Sequence, residues 1–299
     1  MIKRTLYFGN PAYLRLKDKQ LSAEITAGGE TQVKTIPVED IGIIVIDHPQ
    51  ITLTSGLLQL LQEEDVGLIT CDYRHMPQSL LLPIEGNKTQ QERYENQIQA
   101  SEPLKKQLWA QTITQKIKNQ AAMLQRFGLN ADYLMPLYRN VKSGDSDNCE
   151  STAASYYWRT FFGHINGFRR EKEGPPPNNY LNYGYSILRG TMARSLVCSG
   201  LLPTLGIFHK NRYNAFCLAD DLMEPYRPLV DEVVYNMVKK DGLADTLEKE
   251  HKRVLLGIPA LDVSIGGETS PLMVATQRTA NSLVKCFMGE QRKLLYPEL

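Results

Sequence analysis

Over residues 1–86 the apolar positions fall in short β-branched and aromatic runs broken by turn residues, a pattern of strands rather than helices. The runs at 5–8, 12–16, 21–26, 31–36 and 41–46 predict strands, with a hairpin turn at Ala27-Gly28-Gly29. Thr54 or Ser55 then caps a helix that puts Leu57, Leu58 and Leu61 on its apolar face, and two more strands are expected near 66–71 and 79–82. No glycine-rich loop suited to cradling a phosphate occurs here. After Gly86 the texture changes. Residues 90–99 are polar and charged, as in a linker or linker helix, and beyond them almost every segment has helical period. Residues 103–127 carry Trp109, Ile113, Ile117, Ala121 and Leu124 on one stripe, and a shorter helix is expected over 131–141.

Farther along, Asp147 is the expected N-cap of a helix bearing Ala153, Ala154, Tyr157, Trp158 and Phe161. The stretch RREKEGPPPNN cannot be helical, because three consecutive prolines remove donors and clash with the preceding turn. Asn178 or Asn179 is expected to cap the next helix, which runs through Tyr185, Leu188, Met192 and Val197 and ends at Gly200. Leu229, Val233, Val234, Met237 and Val238 form another stripe, and a last helix over 271–288 is expected with Ser270 as its cap. The fold class is therefore α+β. A small N-terminal β-rich domain over 1–90 is followed by a linker over 91–100 and a larger all-α domain over 101–299.

Composition narrows the class without naming a chemistry. Hydrophobic residues make up 42% and charged residues 22% of 299 positions, with no biased run, as in a folded domain with a real core. No apolar stretch approaches the roughly 18 residues of a membrane span, and the first residues, MIKRTLYFGN, lack a signal-peptide core, so no membrane association and a cytoplasmic location are expected. The five cysteines are widely spaced and never form CxxC, which argues against a zinc site or a disulfide framework. Net charge is only +1, but residues 101–219 carry 15 Lys and Arg against 7 Asp and Glu. This local excess hints at a polyanionic partner, while ordinary solvated helix faces would explain it equally well.

Candidate chemistry concentrates in residues 209–228, HKNRYNAFCLADDLMEPYRP. Asp220 or Asp221 lies four or three residues before Glu224, so on a helix these carboxylates share a face, with His209 delivered by the preceding loop. Such a mixed nitrogen and oxygen set suits Mg²⁺ or Mn²⁺ better than a thiolate-seeking ion. Pro225 disfavours the αR region at Glu224, so the acidic turn is expected to be a short helix end with a break. The structural alternative is that these acids cap the following helix or favour its dipole. The same two readings apply to Glu150, three residues after Asp147: either a capping box, or a carboxylate opening a helix toward a metal.

Taken together, these segments carry a resemblance. The Glu150 helix with Ala153-Ala154, Asn182-Tyr183-Gly184-Tyr185, Gly200-Leu201-Leu202-Pro203, Leu205-Gly206-Ile207-Phe208-His209 and Asp221-Leu222-Met223-Glu224-Pro225-Tyr226-Arg227-Pro228 resemble the CRISPR-associated integrase family. This is the metal-dependent subunit of the spacer-acquisition complex, and Glu224 followed by Pro-Tyr-Arg-Pro is similar to the type II subgroup. The resemblance spans nearly the whole chain and implies that the helical domain is catalytic. It implies Glu150, His209 and Glu224 as catalytic metal ligands, where many members have Asp at the last position, and Asp221 as an accessory acid. It implies Mg²⁺ or Mn²⁺ as cofactor, and joining of 3′-hydroxyl ends of short DNA duplexes (prespacers) into a CRISPR repeat by transesterification. Implied partners are double-stranded DNA, a second copy in a homodimer, and a small second adaptation protein in a larger complex. Arg159, Lys210, Arg212 and Arg227 flank the implied ligands and are candidate DNA contacts, with ion pairing to local carboxylates as the alternative. Two other functions compete: a metal-dependent endonuclease hydrolysing branched DNA or RNA, and a non-catalytic DNA-binding scaffold.

Overall fold

A computed structural model describes residues 3–27 and 30–299. The chain divides into two compact units, residues 1–88 and residues 89–299. The first is built from strands β1 (Arg4–Phe8), β2 (Ala12–Lys17), β3 (Gln20–Ala27), β4 (Glu30–Pro37), β5 (Ile41–Ile46) and β6 (Ile51–Leu53), helix α1 (Ser55–Glu63), and strands β7 (Gly67–Cys71) and β8 (Pro77–Leu81). They form two four-stranded sheets, ordered β1-β5-β7-β8 and β4-β3-β2-β6. In the first sheet β1, β5 and β7 run parallel and β8 is antiparallel. The central strand β5, Ile-Gly-Ile-Ile-Val-Ile, is buried at every position. That is what an uninterrupted apolar run achieves when both faces of a parallel sheet are covered.

Strands β3 and β4 pair antiparallel in register from Gln20↔Pro37 to Ala27↔Glu30. The expected turn at Gly28-Gly29 lies outside the described residues. Strand β6 is absent from the predicted set because three residues are too few to show alternation; it pairs in parallel with β2. On α1, Thr54 caps through its side chain to the Leu57 N–H, and Leu57 and Leu61 enter the core shared with Leu14, Leu21, Ile41 and Val66.

In the second unit, residues 90–99 form helix α2 (Gln90–Gln99), whose Gln97 is buried and holds the chain at Leu202 and Leu205. Next come α3 (Glu102–Arg126), α4 (Leu134–Arg139), α5 (Cys149–Phe161), α6 (Asn178–Cys198), α7 (Cys217–Met223), α8 (Arg227–Asp241) and α9 (Lys249–Leu255). Strands β9 (Asp262–Ile265) and β10 (Glu268–Pro271), helix α10 (Leu272–Phe287) and strand β11 (Pro297–Glu298) complete it. The unit is largely helical rather than all-α, because β10-β9-β11 form a small three-stranded sheet. Four-residue strands between helical stripes leave too short an alternation to be read from sequence.

Helix α3 buries Trp109, Ile113, Ile117, Ala121 and Leu124 along its predicted stripe. Helix α6 is buried almost all round. Its Gly184 admits α8 at close range, since a Cβ there would lie 2.6 Å from Val230 Cγ1. Neither asparagine caps α6: Pro177 holds the N-cap position, and Asn178 instead ties down the proline loop through the Arg169 and Pro175 carbonyls. Likewise Pro271, not Ser270, precedes α10, because Ser270 is spent in β10. The five cysteines are free thiols, and no helix among the described residues is long and apolar enough to cross a membrane.

Candidate active site

Helix α5 begins with an unexpected cap. Asn148 sits at the N-cap in the left-handed region and makes no side-chain cap. Asp145 does that work from the preceding turn, its two oxygens accepting from the Cys149 N–H at 2.9 Å and the Glu150 N–H at 3.0 Å. Asp147 instead pairs with Lys142 on the surface. The capping box expected from Asp147 and Glu150 is therefore absent, and with its backbone N–H satisfied by Asp145, the Glu150 side chain is turned toward α3. There Lys116 Nζ donates to Glu150 Oε1 at 2.5 Å.

The second carboxylate comes from the acidic turn. Helix α7 ends at Met223, a 3₁₀ turn spans Glu224–Tyr226, and α8 starts at Arg227. The break is where the prolines predict it, but Glu224 is helical (φ −52°, ψ −46°) despite Pro225, because the tight turn continues directly into α8. Glu224 is buried, with Oε1 accepting from Arg227 Nε at 2.8 Å and Oε2 lying 2.7 Å from Lys116 Nζ. One ammonium thus touches both glutamates. Burial pushes the Glu224 carboxyl up, but Arg227 and Lys116 outweigh it and pull it down to about 2. For the buried Lys116 the balance is the same with the opposite sign: desolvation opposes its charge, and Glu224 and Glu150 overcome it and hold the ammonium above its ordinary range.

His209 arrives on the loop before α7. Asp221 is fully buried and accepts from the Phe208 N–H at 2.9 Å, the His209 N–H at 3.3 Å and His209 Nδ1 at 2.5 Å. This hydrogen bond raises the imidazole above its usual range, with Glu224 and Asp220 adding to it, while burial pushes Asp221 up against its three donors. The loop is pinned from the other side by Phe208, stacked parallel on Trp109 at 4.2 Å, with the His209 ring edge-on to Trp109 at 5.5 Å. Gly206 is required by close approach. A Cβ there would lie 2.5 Å from the His209 carbonyl oxygen and 2.7 Å from Asp221 Oδ2.

The arrangement separates the predicted residues into two pairs. Glu150 and Glu224 meet on Lys116, and His209 meets Asp221; among the described residues no three His, Cys, Asp or Glu side chains converge as a ready metal cluster. The donor set nonetheless fits a divalent ion. The two glutamates already embrace a cation, the ammonium. His209 is oriented through Nδ1 by a buried carboxylate, which leaves Nε2 facing outward as in a metal-bound imidazole. Asp220 is committed elsewhere, to Arg189 Nε at 2.6 Å and Nη2 at 3.1 Å and to Asn214 Nδ2 at 2.7 Å.

The four flanking basic residues differ in freedom. Arg159 is exposed on α5, Lys210 is exposed and lies 3.3 Å from Glu102, and Arg212 stacks on the exposed Tyr213 at 4.6 Å. Arg227 is held by Glu224 and over the Tyr185 ring at 4.6 Å. His209, Lys210, Arg212 and Lys105 border an open groove of about 390 Å³. Sequence reasoning passed over Lys116, Asn119 and Arg189. Lys116 was detectable, since a lysine between Ile113 and Ile117 falls on the buried stripe of α3. Asn119, one turn on, donates to the Pro225 carbonyl at 2.8 Å and so anchors the glutamate turn; nothing in its own sequence neighbourhood marks that role.

A β-rich unit followed by a helical unit that sets two glutamates on one buried lysine, with a carboxylate-oriented histidine on the loop before α7, defines a two-unit protein with a charge-paired carboxylate and histidine site. The profile of the family described as CRISPR associated protein Cas1 matches residues 6–262, and the chain belongs to that family. It is 36% identical over 284 residues to the CRISPR-associated endonuclease Cas1 of Neisseria meningitidis serogroup C (strain 8013), spanning 94% of this chain and 91% of that relative. Among solved structures, a casposase bound to integration product superposes with a TM-score of 0.78 at 20% identity, covering 98% of this chain and 92% of that one. A Cas6-RT-Cas1–Cas2 complex matches with a TM-score of 0.76 at 18% identity, covering 98% of this chain and 36% of that one. At these identities the two structures report likeness of fold.

Proposed function

We propose that this chain is a CRISPR-associated nuclease and integrase that joins the 3′-hydroxyl of a short DNA duplex to a phosphodiester at a CRISPR repeat by transesterification, with Mg²⁺ or Mn²⁺ as cofactor. The observation that carries the reading is the pair of carboxylates, Glu150 and Glu224, facing a single cation beside a histidine oriented by a buried aspartate. Membership of a family whose relative in Neisseria meningitidis is named an endonuclease supports phosphodiester chemistry. A casposase of the same fold, bound to integration product, supports strand joining as its direction.

In this reading Glu150, Glu224 and the ring of His209 hold the ion. When bound, a divalent ion supplies Lewis acidity that lowers the pKa of an attacking hydroxyl and offsets charge developing on the phosphate. The chain's own contribution is orientation and charge. Asp221 fixes the His209 ring through Nδ1, so that Nε2 is the nitrogen left for a ligand role. Arg227 stays protonated beside Glu224 and keeps that carboxylate ionised. Lys210 and Arg212, on the groove beside His209, and Arg159, exposed on α5, supply phosphate contacts that position the duplex without reading its sequence. Double-stranded DNA, a second copy in a homodimer and a small adaptation protein such as the Cas2 of the neighbouring complex are the proposed partners.

The test is strand transfer on a supercoiled plasmid carrying a CRISPR repeat, with labelled short duplex, Mg²⁺ or Mn²⁺ and the small partner protein. Wild type is expected to transfer label to the plasmid, whereas Glu150→Gln, His209→Ala and Glu224→Gln fold but do not. Nicking without joining would instead identify a hydrolytic endonuclease. Joining by all three variants would rule out the ligand assignment.

A further inference from the structure

Lys116 is buried in the middle of a catalytic-looking site yet belongs to no motif of residues 209–228, and its chemistry asks for a reason. A buried lysine is costly unless paired, and here the pairing is with both glutamates at 2.5 and 2.7 Å. With Arg227 on the remaining oxygen of Glu224, the cluster holds two negative and two positive side chains and is neutral as it stands. The two contacts of Lys116 are not alike. Both are short and charge-assisted, at 2.5 Å to Glu150 Oε1 and 2.7 Å to Glu224 Oε2, but that to Glu150 is the better directed. The less directed of two such contacts is the one another cation replaces at lower cost.

From this we infer that Lys116 is a positioning residue that acts as the site's resident counter-ion: its ammonium holds Glu150 and Glu224 together in the metal-free protein and yields Glu224 Oε2 when a divalent ion binds. The inference rests on the metal reading proposed above. It carries two consequences. The first is that Lys116 lowers the affinity for the divalent ion, because the ion must displace or sit beside a buried positive charge. The second is that the exchanged site carries excess positive charge, so that metal and DNA phosphate bind with mutual reinforcement.

The experiment is Mn²⁺ titration of the full-length protein by isothermal calorimetry, with thermal unfolding in Mn²⁺ and in chelator, for wild type, Lys116→Met, Lys116→Gln and Glu224→Gln. Both Lys116 variants are expected to unfold at lower temperature than wild type in chelator. They are also expected to bind Mn²⁺ roughly ten- to a hundredfold more tightly, with a larger Mn²⁺-induced rise in Tm. A Lys116→Met protein that folds only with Mn²⁺ present, followed by circular dichroism, is the same result in its extreme form. A merely structural lysine would lower Tm equally with and without Mn²⁺ and leave the dissociation constant unchanged, and that outcome overturns the inference. If wild type binds Mn²⁺ and the Lys116 variants bind it equally or more weakly, the metal reading stands and the counter-ion role falls. If neither wild type nor the Lys116 variants bind Mn²⁺, the metal reading itself falls and takes the inference with it.

Discussion

The start of α5 shows how much rests on single side chains. Two aspartates, Asp145 and Asp147, compete for the cap of that helix, and backbone geometry decides between them. Asp145 has a left-handed φ of 52° and Asn148 one of 54°, which turns the chain so that Asp145 reaches the first two N–H groups of the helix. Asp147 is left facing solvent and Lys142. Asp145→Ala should therefore cost about 1 kcal/mol, the usual loss for a helix cap, and lower Tm by roughly 2–4 °C for a unit of this size. Asp147→Ala should leave thermal unfolding unchanged. Because the Asp145 bond to the Glu150 N–H also sets the direction of that glutamate, Asp145→Ala should weaken strand transfer more than its effect on Tm accounts for; equal loss of both would deny the link.

Helix α3 is the element that joins the parts of the site. Two successive turns of it carry Lys116, which meets both glutamate side chains, and Asn119, which donates to the carbonyls of Pro225 at 2.8 Å and Pro297 at 3.0 Å. The helix therefore fixes the acidic turn both by its side chain and by its backbone. Asn119→Ala would take this donor from the Pro225 carbonyl, while the Pro297 carbonyl keeps Gln115 Nε2 as a donor at 3.1 Å. The cost expected is about 1–3 kcal/mol, the penalty for a buried group stranded without a partner. Thermal unfolding measures it directly, and Asn119→Asp, which removes the donor and adds a charge, should be worse still. A Tm for Asn119→Ala equal to that of wild type would mean that water or a shifted chain satisfies the Pro225 carbonyl.

At the scale of the whole helical unit, the same packing that assembles the site leaves a titrating group at its centre. Asp231 on α8 is buried between Tyr157 of α5, at 3.0 Å, and Tyr185 of α6. Burial pushes its carboxyl up to about 7, against the help of those two hydroxyls and of Arg227 and Arg170. In the unfolded chain an aspartate releases its proton near pH 4. The folded protein binds the proton more tightly, so stability from this group is present below about pH 4 and is lost as pH rises toward about 7. Asp231→Asn should flatten the pH dependence of Tm over that window and be relatively more stabilising at pH 8 than at pH 5. A slope identical to that of wild type would show that Asp231 is ionised throughout.

Legibility in the sequence followed the range of the interactions involved. The strands of the first sheet, the stripe of α3 and the break after Glu224 were readable because each depends on neighbours within a few positions: alternation, helical period, proline. The resemblance to a CRISPR-associated family was readable because whole motifs survive as contiguous strings. Short strands β6, β9 and β10 were not, since their pairing partners and not their own residues stabilise them. Nor was the choice of Asp145 over Asp147, where two acids of equal propensity differ only in the backbone that presents them. Above all, the sequence alone could not show that Lys116 would stand between Glu150 and Glu224, or that Asp221 would accept from His209. Those residues lie on separate segments, and a buried charge chooses its partner by proximity in the folded core, where desolvation makes pairing obligatory.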